Sequence, residues 1–328
     1  MEPKIRIATF NLENLDDLPE EHYTLDERIA LMRPQMERLK ADVLCLQEVN
    51  GQEELNHPRR LIALQKLLKG TIYENYNMCN TTIENGNEVY DERNLVILSH
   101  FDILESHQYK CNFIKAPQYQ KVTAIPPETQ AKAIEWERPM LYAKIRLPNS
   151  EILHVINLHL KSKIPTNIPG QKKDYYTWKT ATGWAEGYFL SSMKRVGQAL
   201  EARVFIDKIM NENRNPYILV CGDFNAESDD VPVMAIRGDV ENTGNKDLAN
   251  RVLVPCENSI PASSRYTLLH HGKGEMIDHL LVTRNFLKYL VGSEIHNEIL
   301  HDESIAFATD KYYPESDHAP IVTEFMME

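Results

Sequence analysis

Eight polar residues in this sequence share one placement: each stands at or just beyond the end of a short apolar run. Asn11 follows IRIATF, Glu48 follows DVLCLQ, His159 follows HVINL, and Asp223 with Asn225 follows YILVCG. Asp278 sits within MIDHLLV, and Asp317 with His318 precedes the last such run. Packed strands leave a cleft at their ends, so residues far apart in the chain can converge there. Their types suit attack on a phosphate ester. A hard cation such as Mg2+, with Mn2+ as a substitute, takes oxygen ligands and keeps several waters; Glu48, Asn11 and a third oxygen from Asp317 would hold one against the substrate phosphate. That ion would neutralise charge developing in the transition state. Asp223 would orient or deprotonate the attacking water. Asn225, two residues on and so on the same side of an extended segment, would give its amide to a phosphate oxygen. His159 and His318 would donate to the non-bridging oxygens, while Asp278 would fix the tautomer of His318 and favour its protonated form.

Taken singly, each residue has a plainer use. Asp, Asn and Glu at strand ends commonly cap helices or make turns, and a lone His in an apolar strand is more often a hydrogen-bonded core residue. Joint occurrence at strand ends is what singles the set out.

The runs that must position these residues are short, rich in Ile, Val and Leu, and bounded by polar or turn residues. They cover Lys4–Leu12, Asp42–Val49, Asn94–Ser99, Met140–Leu147, Ile152–Leu160, Tyr217–Phe224, Met276–Thr283 and Pro320–Phe325. Helical patterns lie between them. Asp26 to Lys40 places Ile29, Met32, Met36 and Leu39 on one face, with Pro34 implying a kink or two successive turns. A second helix is expected from Pro58 to Leu68, and the longest from Glu186 to Asn211. Paired strands interrupted by helices read as α/β with helices outside two sheets, rather than a strict βαβ repeat. Gln52 to Asp91, Phe113 to Glu137 and Lys163 to Gly187 look like insertions, the kind of connection that carries specificity. No Pro/Gly/Ser linker divides the chain, so residues 1–328 are expected to form one domain.

Composition narrows the partners. Thirty-six basic against 48 acidic residues give a formal charge of −12, which opposes a broad basic footprint for a long duplex. A short anionic substrate met by a metal fits better. Five cysteines, none in a CxxC pair and two (Cys45, Cys221) inside apolar runs, read as buried thiols of a reducing compartment. The N-terminus enters a strand pattern without the marks of an export signal, and no apolar run is long enough to span a bilayer. A cytoplasmic protein with no membrane partner is expected.

The strings themselves, ATFNLENL, ADVLCLQEV, RNLVILS, INLHLKS, VCGDFNAES, MIDHLLVT and ESDHAPIV, occur in an order that resembles the endonuclease/exonuclease/phosphatase superfamily from residue 5 to residue 325. GDFN, a terminal SDH and an upstream QE are specific in combination. The resemblance implies a DNase-I-like fold: a four-layer α/β sandwich, two facing mixed sheets with helices outside, and a site at the top of the sheets. Carried over by position, Glu48 would be the main metal carboxylate with Asn11 and Asp317 as partners, and Asp223 with Asn225 the water-and-phosphate pair. His318 with Asp278, and His159, would be the phosphate-contacting histidines. Glu92 is a weaker match to the acid that orients the first histidine. His159 in NLHL resembles the branch that includes DNase I, sphingomyelinases, inositol-polyphosphate phosphatases and deadenylases rather than abasic-site endonucleases. Glu13 would supply an extra metal oxygen if a feature of the latter were kept.

Beyond His159 the chain continues through Lys161 and Lys163 to Lys172 and Lys173 beside Tyr175, Tyr176 and Trp178. Lysines interleaved with rings suit a phosphate backbone whose bases stack; an amphipathic flap with rings packed on the body is the structural alternative. Lys161, Lys163 and Arg93 are the expected substrate contacts, with Arg138 as a further candidate. The leading expectation is a Mg2+-dependent phosphodiesterase acting on DNA, RNA or a nucleotide-like diester. A phosphomonoesterase or a lipid- or inositol-headgroup phosphoesterase is the alternative, and a non-catalytic binding protein on the same scaffold is the third.

Overall fold

Runs that are apolar on both faces must lie inside a stack of layers. The computed structural model, which describes residues 4–18, 22–84, 86–309 and 311–327, places them in two six-stranded sheets. The first holds β1 (Lys4–Leu15), β2 (Val43–Val49), β3 (Asn77–Asn80), β4 (Asn94–Ser99), β11 (Leu290–Ile295) and β12 (Ile321–Met326) in the order β11-β12-β1-β2-β4-β3. The second holds β5 (Ile103–Tyr109), β6 (Met140–Arg146), β7 (Ile152–His159), β8 (Tyr217–Asp223), β9 (Leu253–Pro255) and β10 (Asp278–Thr283) in the order β9-β10-β8-β7-β6-β5. Alternation along each strand then assigns its faces. Ile5, Ile7, Val43, Cys45 and Ile97 meet Ala143, Val155, Leu219, Cys221 and Leu280 between the sheets. Phe10, Leu44, Leu46 and Val96 turn outward onto helices α1 (Leu25–Leu39) and α2 (Ile62–Leu68). On the far side Ile156, Leu158, Ile218 and Val220 pack on α3 (Ala181–Glu212) and α4 (Val231–Arg237). The result is the expected four-layer α/β sandwich of the DNase-I-like type, with two mixed sheets and helices outside.

Strand direction decides where a site can form. Each sheet has one parallel pair near its middle, β1 with β2 and β7 with β8, and its other neighbours are antiparallel. The C-terminal ends of β1, β2, β7 and β8 therefore share one rim of the sandwich with the starts of β4, β6, β10 and β12. Between the sheets, just below that rim, the apolar packing is broken by amides. Gln47 donates to Asn157 Oδ1 at 2.7 Å, and Asn157 donates to the carbonyls of Leu46 and Val96 at 3.0 Å each.

Several elements differ from expectation. Helix α1 runs unbroken through Pro34, starting from a Thr24/Glu27 capping box. The stretch expected as helix from Pro58 begins as a strand of a small hairpin (Gln52–Glu54 with His57–Arg60), because Pro58 and the exposed residues around it offer no apolar face; helix follows only from Ile62. Helix α3 starts at Ala181, capped by the Thr180 hydroxyl, so the last part of the Lys163–Gly187 insertion is helical. All five cysteines are free, and Cys45, Cys221 and Cys256 are buried. Among the described residues no helix is long and apolar enough to cross a membrane.

Candidate active site

Local backbone comes first, because the rim residues depart from regular strand. Glu13 and Asn14 at the end of β1, Glu48 in β2, Arg93 before β4 and Asn225 after β8 all have left-handed φ between 46° and 60°. Such backbone at a non-glycine costs of order 1–3 kcal/mol per residue and gathers at functional sites. Arg28 of α1 holds the first of these turns by donating to the carbonyls of Leu12, Glu13 and Asn14 at 2.9, 3.0 and 3.3 Å, and to that of Pro314 at 3.2 Å. The turn in turn aims two contacts: the Asn14 N–H donates to Glu48 Oε2 at 3.0 Å, and Glu13 Oε2 accepts from the Asp317 N–H at 3.0 Å.

Three of the expected site residues sit in one row across the second sheet, since His159 is paired with Asp223 and Asp223 with Asp278. Gly222 makes that row fit. Its φ is +127°, and a Cβ there would lie 2.0 Å from the Leu158 carbonyl oxygen. Asp223 accepts from the Asn225 N–H at 2.8 Å, from Asn225 Nδ2 at 3.0 Å and from Asn11 Nδ2 at 3.1 Å. His159 Nε2 lies 3.4 Å from both Glu48 Oε1 and Asp223 Oδ2. From the first sheet, His318 Nδ1 meets Asp278 Oδ2 at 2.8 Å, and its Nε2 faces Asp317 Oδ1 at 3.8 Å. The Ser316 hydroxyl anchors this turn by accepting from the His318 N–H and donating to the Asn11 carbonyl.

Burial and charge make Asp223, Asp317 and Glu13 resist ionising and set the two histidines apart. Burial, with Asp278 and Glu48 adding to it, raises Asp223 to about 7 against the pull of His318. Asp317 rises to about 6 by burial, Glu48 and Glu303, again against His318. Glu13 is pushed well above the usual carboxylate range by burial and by Asp317. For His318 burial opposes charge, but Asp278 and Asp317 hold its pKa well above the usual value. Burial and then Arg138 and Arg93 drive His159 the other way, so it stays neutral.

The acids are therefore short of positive charge. Asp278 Oδ1 and Asp317 Oδ1 are buried without a hydrogen-bond partner. Two sets of possible ligand atoms lie close together: Glu48 with His159 and Asp223, and Asp223 with Asp278 and His318. Carboxylate oxygens with unspent capacity suit a hard divalent cation; of the expected ligands Glu48 stands in one of these sets and Asp317 in neither, while Asn11 accepts from the Glu13 N–H and donates to Asp223.

A cavity of about 420 Å3 opens onto this cluster, lined by Glu48, His159, Asp223, Asn225, Asp317 and His318. Asn11 and Asp278 stand behind its wall, bonded to Asp223 and His318. Of the expected substrate contacts, Arg93 lines the cavity. Lys163 lines it too but is paired with Glu275 at 3.6 Å. Lys161 lies off the wall, bonded to Ser162 at 2.9 Å and near Glu137 at 3.9 Å, and burial lowers it to about 8. Arg138 is a wall residue, buried and donating to the carbonyls of His159 and Leu160. Glu92 is exposed. Tyr175 and Tyr176 are exposed and stand apart from the cavity wall, with Lys172 over the rings of Tyr175 and Trp178. Sequence reading missed Ser162, His270, Glu275 and Glu303, wall residues that come from short or irregular segments carrying no apolar period to mark them.

Residues 8–318 match the family model described as Endonuclease/Exonuclease/phosphatase family. No curated protein matches the sequence. Among solved structures, a protein of that family from Bacteroides thetaiotaomicron is 13% identical, with a TM-score of 0.58 over 100% of this chain and 96% of its own. Truncated TDP2 from Caenorhabditis elegans is 14% identical, with a TM-score of 0.55 over 98% of this chain and 97% of its own. The 3' phosphatase NExo from Neisseria, bound to a product DNA hairpin, is 17% identical, with a TM-score of 0.52 over 98% of this chain and 99% of its own. At such identities the likeness to these structures is one of fold.

Proposed function

The chain belongs to the endonuclease/exonuclease/phosphatase family, a family of phosphoesterases, and from that premise we propose that it is a divalent-cation-dependent phosphodiesterase acting on a nucleic acid or a nucleotide-like diester. The observation that carries this reading is the convergence of Glu48, His159, Asp223 and His318, with Arg93 and Arg138, on one cavity. Glu48, with Asn11 and Asp317, would hold the cation, which when bound supplies Lewis-acid stabilisation of the phosphate. Asp223, held in place inside the cavity wall, would take the proton of the attacking water. Asn225 and Asn11 fix the carboxylate that does so. His318, kept protonated by Asp278, donates from Nε2 to a non-bridging oxygen; neutral His159 donates to another from its Nε2–H.

A second reading, a phosphomonoesterase, is favoured by one observation: Glu275 and Glu303 share the wall with the phosphate-contacting groups, an arrangement unfavourable to a long polyanion. Turnover of DNA, RNA, a chromogenic bis-ester and a chromogenic monoester, each with Mg2+, Mn2+ or excess chelator, separates the two. The expected result is diester turnover that vanishes in chelator and in Glu48→Ala. Full activity in excess chelator contradicts the cation requirement, and turnover confined to the monoester replaces the first reading with the second.

A further inference from the structure

The cavity wall is electrically lopsided, and the topology explains how. In the stack β4 packs over β6, and β12 over β10. Both arginines of the wall enter from the first of these flanks, Arg93 before β4 and Arg138 before β6, while Lys163, which follows β7, reaches across to Glu275 at 3.6 Å. From the opposite flank come Leu268, His270 and Glu275 of the hairpin before β10, with Ile277, and Glu303 at the start of the helix Glu303–Thr309 before β12. Asp302 fixes that second flank as a unit. Its carboxylate accepts from the His271 and Gly272 N–H groups of the hairpin and from the Ser304 N–H and hydroxyl of the helix. His270 Nδ1 then meets Glu303 Oε1 at 2.5 Å across the two pieces.

A polynucleotide that passes through the site carries a phosphate on each side of the one attacked. On the β4/β6 flank the neighbouring phosphate meets Arg93 and Arg138. On the β10/β12 flank it meets Glu303 and Glu275 on the same wall as Asp317, each with a single base against it among the described residues, His270 for Glu303 and Lys163 for Glu275. Two like charges within a partly desolvated cleft repel strongly, whereas a hydroxyl-bearing group finds acceptors in Glu303 and Glu275, either role in His270, and apolar cover from Leu268 and Ile277.

We propose that the β10/β12 flank, through Glu303, Glu275 and His270, is a specificity wall that accepts a neutral, hydroxyl-bearing substituent of the ester and excludes a second phosphate. The bond hydrolysed is then the one nearest an end of a nucleic-acid chain, or that of a small ester, rather than one deep within a strand. This rests on the phosphoesterase reading and names the substrate class of that same site.

Three dinucleotides test it: TpT, with a single internal phosphate, pTpT, with a second phosphate on the 5' side, and TpTp, with a second on the 3' side. Hydrolysis of the internal diester is followed with Mg2+ or Mn2+. One of the two doubly phosphorylated substrates is expected to fall roughly tenfold or more below TpT in kcat/KM, the other to match or exceed it. That deficit should shrink in Glu303→Gln/Glu275→Gln and at high salt. Because the readout is a ratio within each protein, a general loss of activity in the variant cancels. Equal kcat/KM for all three substrates in the wild type overturns the inference and leaves the phosphoesterase reading intact. A deficit that survives unchanged in the double variant also overturns it, since the wall would not be its cause. No hydrolysis of the internal diester in any of the three with either cation overturns the inference and the diesterase reading together, and turnover of the chromogenic monoester by the same protein then leaves only the phosphomonoesterase reading standing.

Discussion

Strand β10 carries two histidine–carboxylate pairs on opposite faces, one residue apart. Asp278 faces the gap between the sheets and holds His318; His279 faces the helices and is held by Glu257. Both pairs are buried, and in both the histidine is raised above its usual pKa against the effect of burial, His318 by Asp278 and Asp317, His279 by Glu257 and the Ala226 carbonyl. They differ in what is left over. His279 gives Nδ1 to Glu257 Oε1 at 2.7 Å and Nε2 to the Ala226 carbonyl at 2.9 Å, while Glu257 Oε2 accepts from the Leu280 N–H at 3.3 Å. Among the described residues Asp278 Oδ1 has no hydrogen-bond partner, and His318 Nε2 faces the Asp317 carboxylate at 3.8 Å. One pair is complete and fixes the loop that follows β8 at Ala226. The other keeps hydrogen-bonding capacity in reserve, aimed at a cavity. A buried ion pair identifies a working site through what it leaves unsatisfied, not through its presence.

The strongest way to break that comparison is to remove the incomplete pair. His318→Ala and Asp223→Ala are each expected to lower kcat about a thousandfold or more, because both delete interactions made with the transition state. His318→Ala also leaves the buried Asp278 carboxylate without its partner, so its melting temperature should fall and rates are compared per folded molecule below the melting range. Near-normal kcat in a well-folded His318→Ala protein would place His318 outside the reaction.

Removing the complete pair should do the reverse. His279→Leu strands the Glu257 carboxylate, and losing one partner of a buried pair costs about 3–5 kcal/mol of stability. Glu257→Leu/His279→Leu, which strands nothing, should recover most of it. The kcat of the molecules that remain folded should change only a few-fold, as read by active-site-normalised rates below the melting range. The pair also has a pH signature. His279 titrates at 6.5 in the unfolded chain and higher in the fold, so its contribution is fully present below 6.5 and is lost as pH rises through the folded value. Denaturant titrations from pH 6 to 9 should show a decline in wild type that is shallower in the double variant.

The same contrast explains what was legible in the sequence. β2, β4 and β8 read almost to the residue, because strands buried on both faces must be continuous apolar runs. β3, β5 and β11 escaped notice: they are edge strands, half exposed, and their sequences (NMCN, ILESHQY, LVGSEI) carry no such run. The eight polar residues gathered at the rim were readable because a polar group that ends an apolar strand stands out, and the rim brings all those ends together. His279 and Glu257 were not singled out, since a histidine inside an apolar strand has a core role as its ordinary meaning and Glu257 lies in an irregular segment. Glu303 and His270 belong to the wall only by virtue of the fold.

The smallest expected effect concerns two exposed tyrosine side chains. Tyr175 and Tyr176 are 79% and 74% exposed, and their rings meet each other edge-on at 4.9 Å rather than packing on the body. The backbone beneath them is held without their help, by the Lys172–Trp178 bridge, the Asp174 carboxylate on the Tyr176 and Thr177 N–H groups, and the Lys173 N–H on the Thr177 carbonyl. Tyr175→Ala/Tyr176→Ala should therefore change stability by less than about 0.5 kcal/mol. The segment leaves β7 beside Arg138, on the basic flank where a nucleic-acid chain would extend. If bases stack there, the double variant should lose roughly 1 kcal/mol or more of binding to an oligonucleotide, read as a several-fold higher KM, while a bis-ester without bases is unaffected. Equal losses on both substrates would show that the tyrosines act through the shape of the segment, and equal indifference would mean that the chain leaves the site by another path.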